Sequence, residues 1–396
     1  VPLEGEDGVA ALIDRLAATE PWVGERTGPE IGPWEYFLDS GGRLTFEPGA
    51  QVEHSTAVFD TAAEALDDIQ LVSDRLRAEF RARGAVLAAA GIDLWHDLDE
   101  VPQQLRAGRY TSMAGYYDAL GPWGAVMMRQ TASLQVNLDL GPEGVWQERW
   151  WLANLMSPLL TAIFACSPDG DMVCSRARAW QGLDPSRTGF PSALAPGTGD
   201  PRATWAEGAL AGNVMLIHSP SGEANPVEPG LTFTDWIARG HPLHGWPIQE
   251  DVDYHLTTLF FEVRPRGFLE LRAGEALPDR WRTALVVLVT AVLYDDRARV
   301  RALQQLDGMR DRLPELWGRA AVSGVRDPEL GELAGELWRI ALEGASRLPD
   351  GYLGDGAVSV AREFVQRYTA AGRMPADELA ELDAEDPARA LSWTSE

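Results

Sequence analysis

Thr131-Ala-Ser-Leu-Gln-Val-Asn-Leu-Asp139 is the stretch on which the fold turns. Side chains alternate across an extended strand, so Leu134, Val136 and Leu138 share one face while Ser133, Gln135, Asn137 and Asp139 share the other. Two further segments repeat the pattern. Gly267-Phe-Leu-Glu-Leu-Arg272 places Leu269 and Leu271 opposite Phe268, Glu270 and Arg272. Arg43-Leu-Thr-Phe-Glu-Pro-Gly-Ala-Gln-Val-Glu-His-Ser55 reads as two short strands around a Pro-Gly turn, with Glu47 and Glu53 flanking it. An antiparallel sheet with one wet face would also alternate. Such faces are usually rich in Thr, Lys and Arg, whereas these positions hold carboxylates, carboxamides and one arginine. Carboxylates from several strands of one sheet make a hard-oxygen site for Mg²⁺, and an arginine beside them can grip a carboxylate or phosphate with two hydrogen bonds.

Around these segments the chain is helical. Residues 57–83 space Ala63, Leu66, Ile69 and Leu76 as one helix face and end in a basic turn, which suits the helix dipole. Residues 146–166 predict a more buried helix. From residue 284 to about 371 the pattern is mainly helical, with breaks near Pro314, Asp327-Pro328 and Pro349-Asp350-Gly351. Two Pro/Gly-rich stretches, 184–201 and 219–229, predict surface loops, and loops of that length are often functional lids. No internal repeat or sharp compositional break divides the chain. The expectation is one α+β catalytic domain over residues 1–396, mainly helical over 297–390.

Composition narrows the chemistry. The 34 basic residues are all arginine, against 60 acidic ones, for a net charge of −26. Without lysine there is no P-loop lysine and no Schiff base, so a phosphorylated substrate must be held by arginine, backbone amides or metal. The acidic field disfavours nucleic acid and anionic membranes. The best membrane-span candidate, 281–294, is too short to span a bilayer and includes Arg282, so it predicts a buried helix. Cys166 and Cys174 form no disulfide framework, and the setting is expected to be cytoplasmic.

The same segments resemble the type 2 glutamate–cysteine ligases. Phe46-Glu-Pro-Gly-Ala-Gln-Val-Glu-His-Ser55 is similar to their Glu-Pro-Gly-Gly-Gln-(aliphatic)-Glu-x-Ser signature, and Arg109-Tyr-Thr-Ser-Met113 to an Arg-Tyr-x-x-Met turn. Met127-Met128 with the 131–139 run, Tyr254-His-Leu-Thr-Thr-Leu-Phe260, Val263-Arg-Pro-Arg266 and Leu269-Glu-Leu-Arg272 match further motifs in order. The resemblance extends from about residue 43 to Met374-Pro-Ala-Asp377, and the ergothioneine-pathway branch is the nearest in pattern. It implies a glutamine-synthetase-like antiparallel sheet lining the active site. It also implies an ATP- and Mg²⁺-dependent ligase acting through γ-glutamyl phosphate, with glutamate, ATP and an amino-acid acceptor as partners.

Carried over by motif, Glu47, Glu53 and Glu270 would ligate metal, with Glu53 and Arg272 catalytic. Arg176, Trp180, Met128 and Arg109 would bind substrate. Gln135, Asn137, Arg264 and His255 would face the nucleotide. Plainer roles stand beside these: Trp180, Met127 and Met128 as packing residues, Arg264 and Arg266 as surface ion pairs, His255 as structural. Two departures stand out. The family's opening Gly-x-Glu-x-Glu strand does not precede Val1, and Glu25, Glu30 and Glu35 lie in unlike context, so the sequence is expected to start inside a longer chain; the alternative is a member that has lost ligands. The segment 167–176 is also shorter than usual, and Cys166 stands just before it where asparagine is common. Cysteine is the expected acceptor; another amine, or a silent glutamate- or nucleotide-binding homologue, remains open.

Overall fold

A computed structural model describes residues 1–29, 33–191, 194, 200–218 and 224–395. Glu30 and parts of both predicted loops lie outside the described residues. Ten short strands are described: β1 Tyr36–Phe37, β2 Arg43–Phe46, β3 Val52–Ser55, β4 Val136–Asp139, β5 Thr188–Gly189, β6 Leu216–His218, β7 Ala224–Pro226, β8 Phe260–Phe261, β9 Val263–Pro265 and β10 Phe268–Leu271. They form two three-stranded antiparallel sheets, β1-β2-β3 and β4-β10-β9, and two pairs, β5-β8 parallel and β6-β7 antiparallel. The chemically loaded strands thus belong to two sheets rather than one, which corrects the expectation of a single sheet. Gln51 ties them. Its amide donates to the Thr131 carbonyl at 3.0 Å, just ahead of β4.

Alternation sorts the β4-β10-β9 sheet as expected. Val136, Leu138, Leu269 and Leu271 are buried in the main core while Asn137 and Asp139 are exposed. The register then aligns Asn137, Glu270 and Arg264 in one row across the three strands.

Behind this sheet lies the helical part. Helix Val145–Ile163 packs against Asp296–Leu306, Leu313–Ser323 and Pro328–Ala345, and helix Asp279–Tyr294 against Pro328–Ala345 and Ala357–Arg367. From Leu152 to Ile163 every residue of the first is buried, consistent with a helix apolar on all sides. Asp279–Tyr294 is likewise mostly buried, and no helix among the described residues is long and apolar enough to cross a membrane. The breaks fall where proline and capping chemistry require. Asp327 accepts from the Glu329 and Leu330 amides at 3.1 Å, with Pro328 opening the next helix. Helices continue beyond residue 371, through Pro375–Glu385 and Pro387–Trp393.

Three expectations are corrected. Helix Ala62–Ala82 starts with a capping box between Thr61 and Glu64, but its buried residues are Ala62, Asp68, Val72, Leu76, Arg77 and Phe80. Ala63, Leu66 and Ile69 are only half-buried. Polar side chains move the buried face, because Arg77 pairs with the Asp279 carboxylate (Nη2 to Oδ1, 2.6 Å) and Asp68 stands 3.3 Å from His54. The segment 109–113 is helical, within Gly108–Asp118, not a turn. The stretch from residue 184 is no surface loop at its start. Asp184 and Arg187 are buried, the first bonded to Tyr116, Ser186 and Asn213, the second to Thr258 and the Asn213 carbonyl.

Candidate active site

The hairpin β2-β3 supplies two carboxylates. Thr45 lies opposite Glu53, and the Glu47 amide donates to the Gln51 carbonyl at 3.0 Å, so Glu47, Thr45 and Glu53 share a face. Thr45 Oγ1 donates to Glu53 Oε2 at 2.8 Å and fixes that carboxylate. Glu47 is reached by solvent although protein crowds around it. Lost hydration, then the like charge of Glu53, push its carboxyl up to about 7, although Arg272 and Arg109 pull it down.

The turn itself is unusual. Ala50 has φ +73°, in the left-handed region that normally selects glycine. Beside it, Gly49 lies so close to the Arg129 carbonyl that a Cβ would collide with backbone. The tight approach brings the hairpin against the segment leading into β4.

A cluster of guanidinium groups stands beside the carboxylates. Glu270 Oε1 accepts from Arg272 at 2.9 Å and lies 3.2 Å from Arg264, while Oε2 accepts from Arg266 at 3.2 Å. Burial raises the Glu270 pKa, but Arg272 and Arg264 outweigh it and hold the group below its ordinary value. Arg264 is pushed down to about 10 by burial and by the charge of Arg272. Arg109 acts on both Glu47 and Arg264, and its guanidinium lies 5.5 Å from the Tyr254 ring centre.

An aromatic wall completes the site. Arg272 stands 5.4 Å from the Trp180 ring and 5.6 Å from Phe260, whose rings are 5.6 Å apart. Arg176, on the short helix Ser175–Gln181, is buried and lies 6.0 Å from the Trp180 ring. Its Nη2 donates to the Arg272 carbonyl at 3.1 Å. The Trp180 indole N–H is buried with no hydrogen-bond partner among the described residues. Behind this wall the Glu275 carboxylate accepts from Ser167 Oγ at 2.5 Å and from the Cys166 amide, and Ser167 Oγ in turn accepts from the Arg176 amide at 3.2 Å. The 167–176 segment thus braces Arg176.

Most residues singled out from the sequence therefore converge. Glu47 and Glu53 lie on or beside one sheet, Asn137, Arg264, Glu270 and Arg272 on or beside the other, and the charge of Arg272 acts on Glu47 across the two. Gln135 is half-buried and donates to Ser133 Oγ at 3.4 Å. Met128 is buried, its carbonyl 3.5 Å from the Gln51 amide. His255 faces elsewhere: its Nε2 is 2.9 Å from the Ala209 carbonyl, its ring lies on Phe233, and burial pushes it down to about 4. Tyr254, not His255, reaches Arg109.

The three carboxylates expected to share a metal do not stand as one ligand group. Among the described residues no three His, Cys, Asp or Glu side chains are close enough to hold a metal ion. Glu47 and Glu53 fit a divalent cation, being mutually repelling carboxylates open to solvent. Glu270 does not, since guanidinium groups engage both its oxygens. Sequence reasoning overlooked Glu262, buried between Arg176 and Arg272 in electrostatic terms and pushed up to about 7 by burial against their opposing pull. Its only signal was a lone carboxylate in the apolar run Leu259-Phe-Phe-Glu-Val263.

Comparison with known proteins agrees with these motifs. A family model described as glutamate-cysteine ligase family 2 matches residues 1–392. The chain is 38% identical over 317 residues to a glutamate–cysteine ligase EgtA of Mycolicibacterium smegmatis, covering 78% of this chain and 72% of that one. It is 32% identical over 363 residues to the EgtA of Mycobacterium tuberculosis, covering 87% and 81%. Similarity extends to a chloroplastic glutamate–cysteine ligase of Medicago truncatula, 28% identical over 387 residues, covering 94% and 73%.

Proposed function

We propose that this chain, which belongs to glutamate–cysteine ligase family 2, joins the γ-carboxylate of glutamate to the amine of cysteine at the expense of ATP. The observation that carries this reading is the solvent-facing pair Glu47 and Glu53 set against Arg109, Arg264 and Arg272. Carboxylates for a divalent cation beside fixed arginines suit a reaction that moves a phosphoryl group, where catalysis rests on positioning and charge neutralisation.

The chemistry has two steps. A γ-carboxylate oxygen attacks the γ-phosphorus of ATP, its O–P bond forming as the bond to ADP breaks. The acceptor amine then attacks the acyl carbon, loses a proton and expels inorganic phosphate. Glu47 and Glu53 would hold Mg²⁺, which screens the charge of the phosphate chain. Arg272, Arg264 and Arg109 orient phosphoryl oxygens, with Gln135 and Asn137 lining the nucleotide end. Glu270 keeps Arg264 and Arg272 in place. Arg176 takes the glutamate α-carboxylate, while Trp180 and Met128 shape that end of the pocket. The two three-stranded sheets would together form a glutamine-synthetase-like active-site surface within one catalytic domain.

Phosphate release on adding ATP, Mg²⁺, glutamate and a panel of amino acids tests the proposal. Release with cysteine and formation of γ-glutamylcysteine is the expected result. Release only with another amine would replace the acceptor, and no release with any acceptor would overturn the ligase reading.

A further inference from the structure

An α-amino acid carries an anion and a cation on one carbon. A receptor for that head group therefore presents a cation and an anion side by side, and only the first half of such a receptor, Arg176, has been assigned above. Glu262 occupies the complementary position. It joins β8 to β9, its amide donating to the Gly189 carbonyl at 2.8 Å and its carbonyl accepting from the Arg272 amide at 3.0 Å, so its backbone is fixed at both ends. Its side chain is 6% exposed, as buried as Arg176 at 5%.

No hydrogen bond or salt bridge to any described residue satisfies the Glu262 carboxylate, although Arg176 and Arg272 both act on it from a distance. A buried carboxylate without donors is costly and is normally paired. Structural carboxylates in this same region are paired: Glu270 has guanidinium groups and Glu275 has Ser167 Oγ and the Cys166 amide. The indole N–H of Trp180, next to Arg176, is buried and has no hydrogen-bond partner among the described residues.

We propose that Glu262 binds the α-ammonium of the donor glutamate, beside the α-carboxylate held by Arg176, and so selects an α-amino acid over a simple dicarboxylic acid. The assignment rests on the ligase reading of the preceding subsection. Glu262 is a specificity-determining residue, and no proton or bond changes hands at it during turnover.

Glutarate, which has both carboxylates of glutamate and no amine, is the discriminating probe. In the full-length chain with ATP, Mg²⁺ and cysteine, Glu262→Gln should raise the glutamate KM by roughly 10- to 100-fold, the range for a lost charge-assisted hydrogen bond. The KM values for ATP and cysteine should stay within about 2-fold. The preference for glutamate over glutarate in kcat/KM should shrink by a similar factor. A preference left at its wild-type value in an active Glu262→Gln enzyme overturns the assignment without touching the ligase reading. If no acceptor supports phosphate release by the wild-type chain, the ligase reading fails instead.

A measurement on the wild-type protein covers the case in which the variant does not fold. The charged groups facing Glu262 are Arg176 and Arg272, and burial pushes its own carboxyl up to about 7; Glu47, also raised to about 7, acts alike on glutamate and glutarate, so the difference between the two ligands reports Glu262. Protonating it removes the partner of the ammonium. Glutamate affinity, measured calorimetrically, should fall about 10-fold for each pH unit below 7, whereas glutarate affinity should lack that fall. Parallel pH profiles for the two ligands overturn the proposal.

Discussion

Arg272 donates to Glu270 at 2.9 Å, only two residues earlier on the same edge of the chain, while its guanidinium lies 5.4 Å from the Trp180 ring. One side chain thus joins the charged row of the β4-β10-β9 sheet to the aromatic wall. A planar fork can hold a carboxylate and lie against a ring at once; a compact ammonium cannot. Arg272→Met should lower kcat/KM by about 100-fold, and Arg272→Lys should recover only part of that loss. Steady-state phosphate release decides it, with circular dichroism to check the fold. Full activity in the lysine variant would show that charge alone suffices.

Glu53→Gln removes one negative charge from the pair facing the solvent-filled side of the hairpin and keeps the bond to Thr45 sterically possible. Turnover should fall by at least about 100-fold at fixed Mg²⁺, with an unchanged thermal transition. Wild-type turnover would place the metal elsewhere.

Arg176→Ala should raise the glutamate KM by about 10-fold or more and leave the ATP KM nearly unchanged, because the side chain lies at the Trp180 end of the site. Equal increases in both constants argue against a carboxylate clamp.

The hairpin turn gives two opposed stability predictions. Ala50→Gly relieves a positive φ and should stabilise the protein by about 0.5 kcal/mol, the steric gain being partly offset by glycine's greater chain entropy. Gly49→Ala drives a Cβ into the Arg129 carbonyl and should destabilise by at least about 1 kcal/mol. Urea titration of both variants reads the signs.

Arg77 and Asp279 join helix Ala62–Ala82 to helix Asp279–Tyr294 through a buried bidentate pair. Arg77→Ala leaves Asp279 with Gln70 and Arg282 as remaining partners, and should cost about 3 kcal/mol of unfolding free energy. A loss below about 0.5 kcal/mol would show that those two partners compensate.

Much of this arrangement is readable before any coordinates. Period-two alternation places Val136, Leu138, Leu269 and Leu271 inside because a strand has only two faces, and Pro328 after Asp327 marks a helix start because proline is tolerated in the first turn. Pairing is not readable in that way. Nothing local says that Glu270 faces Asn137 on one side and Arg264 on the other. Nor does helical periodicity show that Asp68 and Arg77 turn inward, since the reason is a distant partner, His54 or Asp279.

The amino-acid sequence by itself determined the family, the strand faces, the helical C-terminal part and the exclusive use of arginine for positive charge, all of which follow from residue type and short-range spacing. Tertiary structure alone decided that Glu47 and Glu53 stand on a different sheet from Glu270, that arginines surround Glu270, and that the buried Glu262 finds no hydrogen-bond or salt-bridge partner among the described residues. Those are properties of side chains far apart in sequence, and their charge states depend on which neighbours folding brings near and how much water it removes.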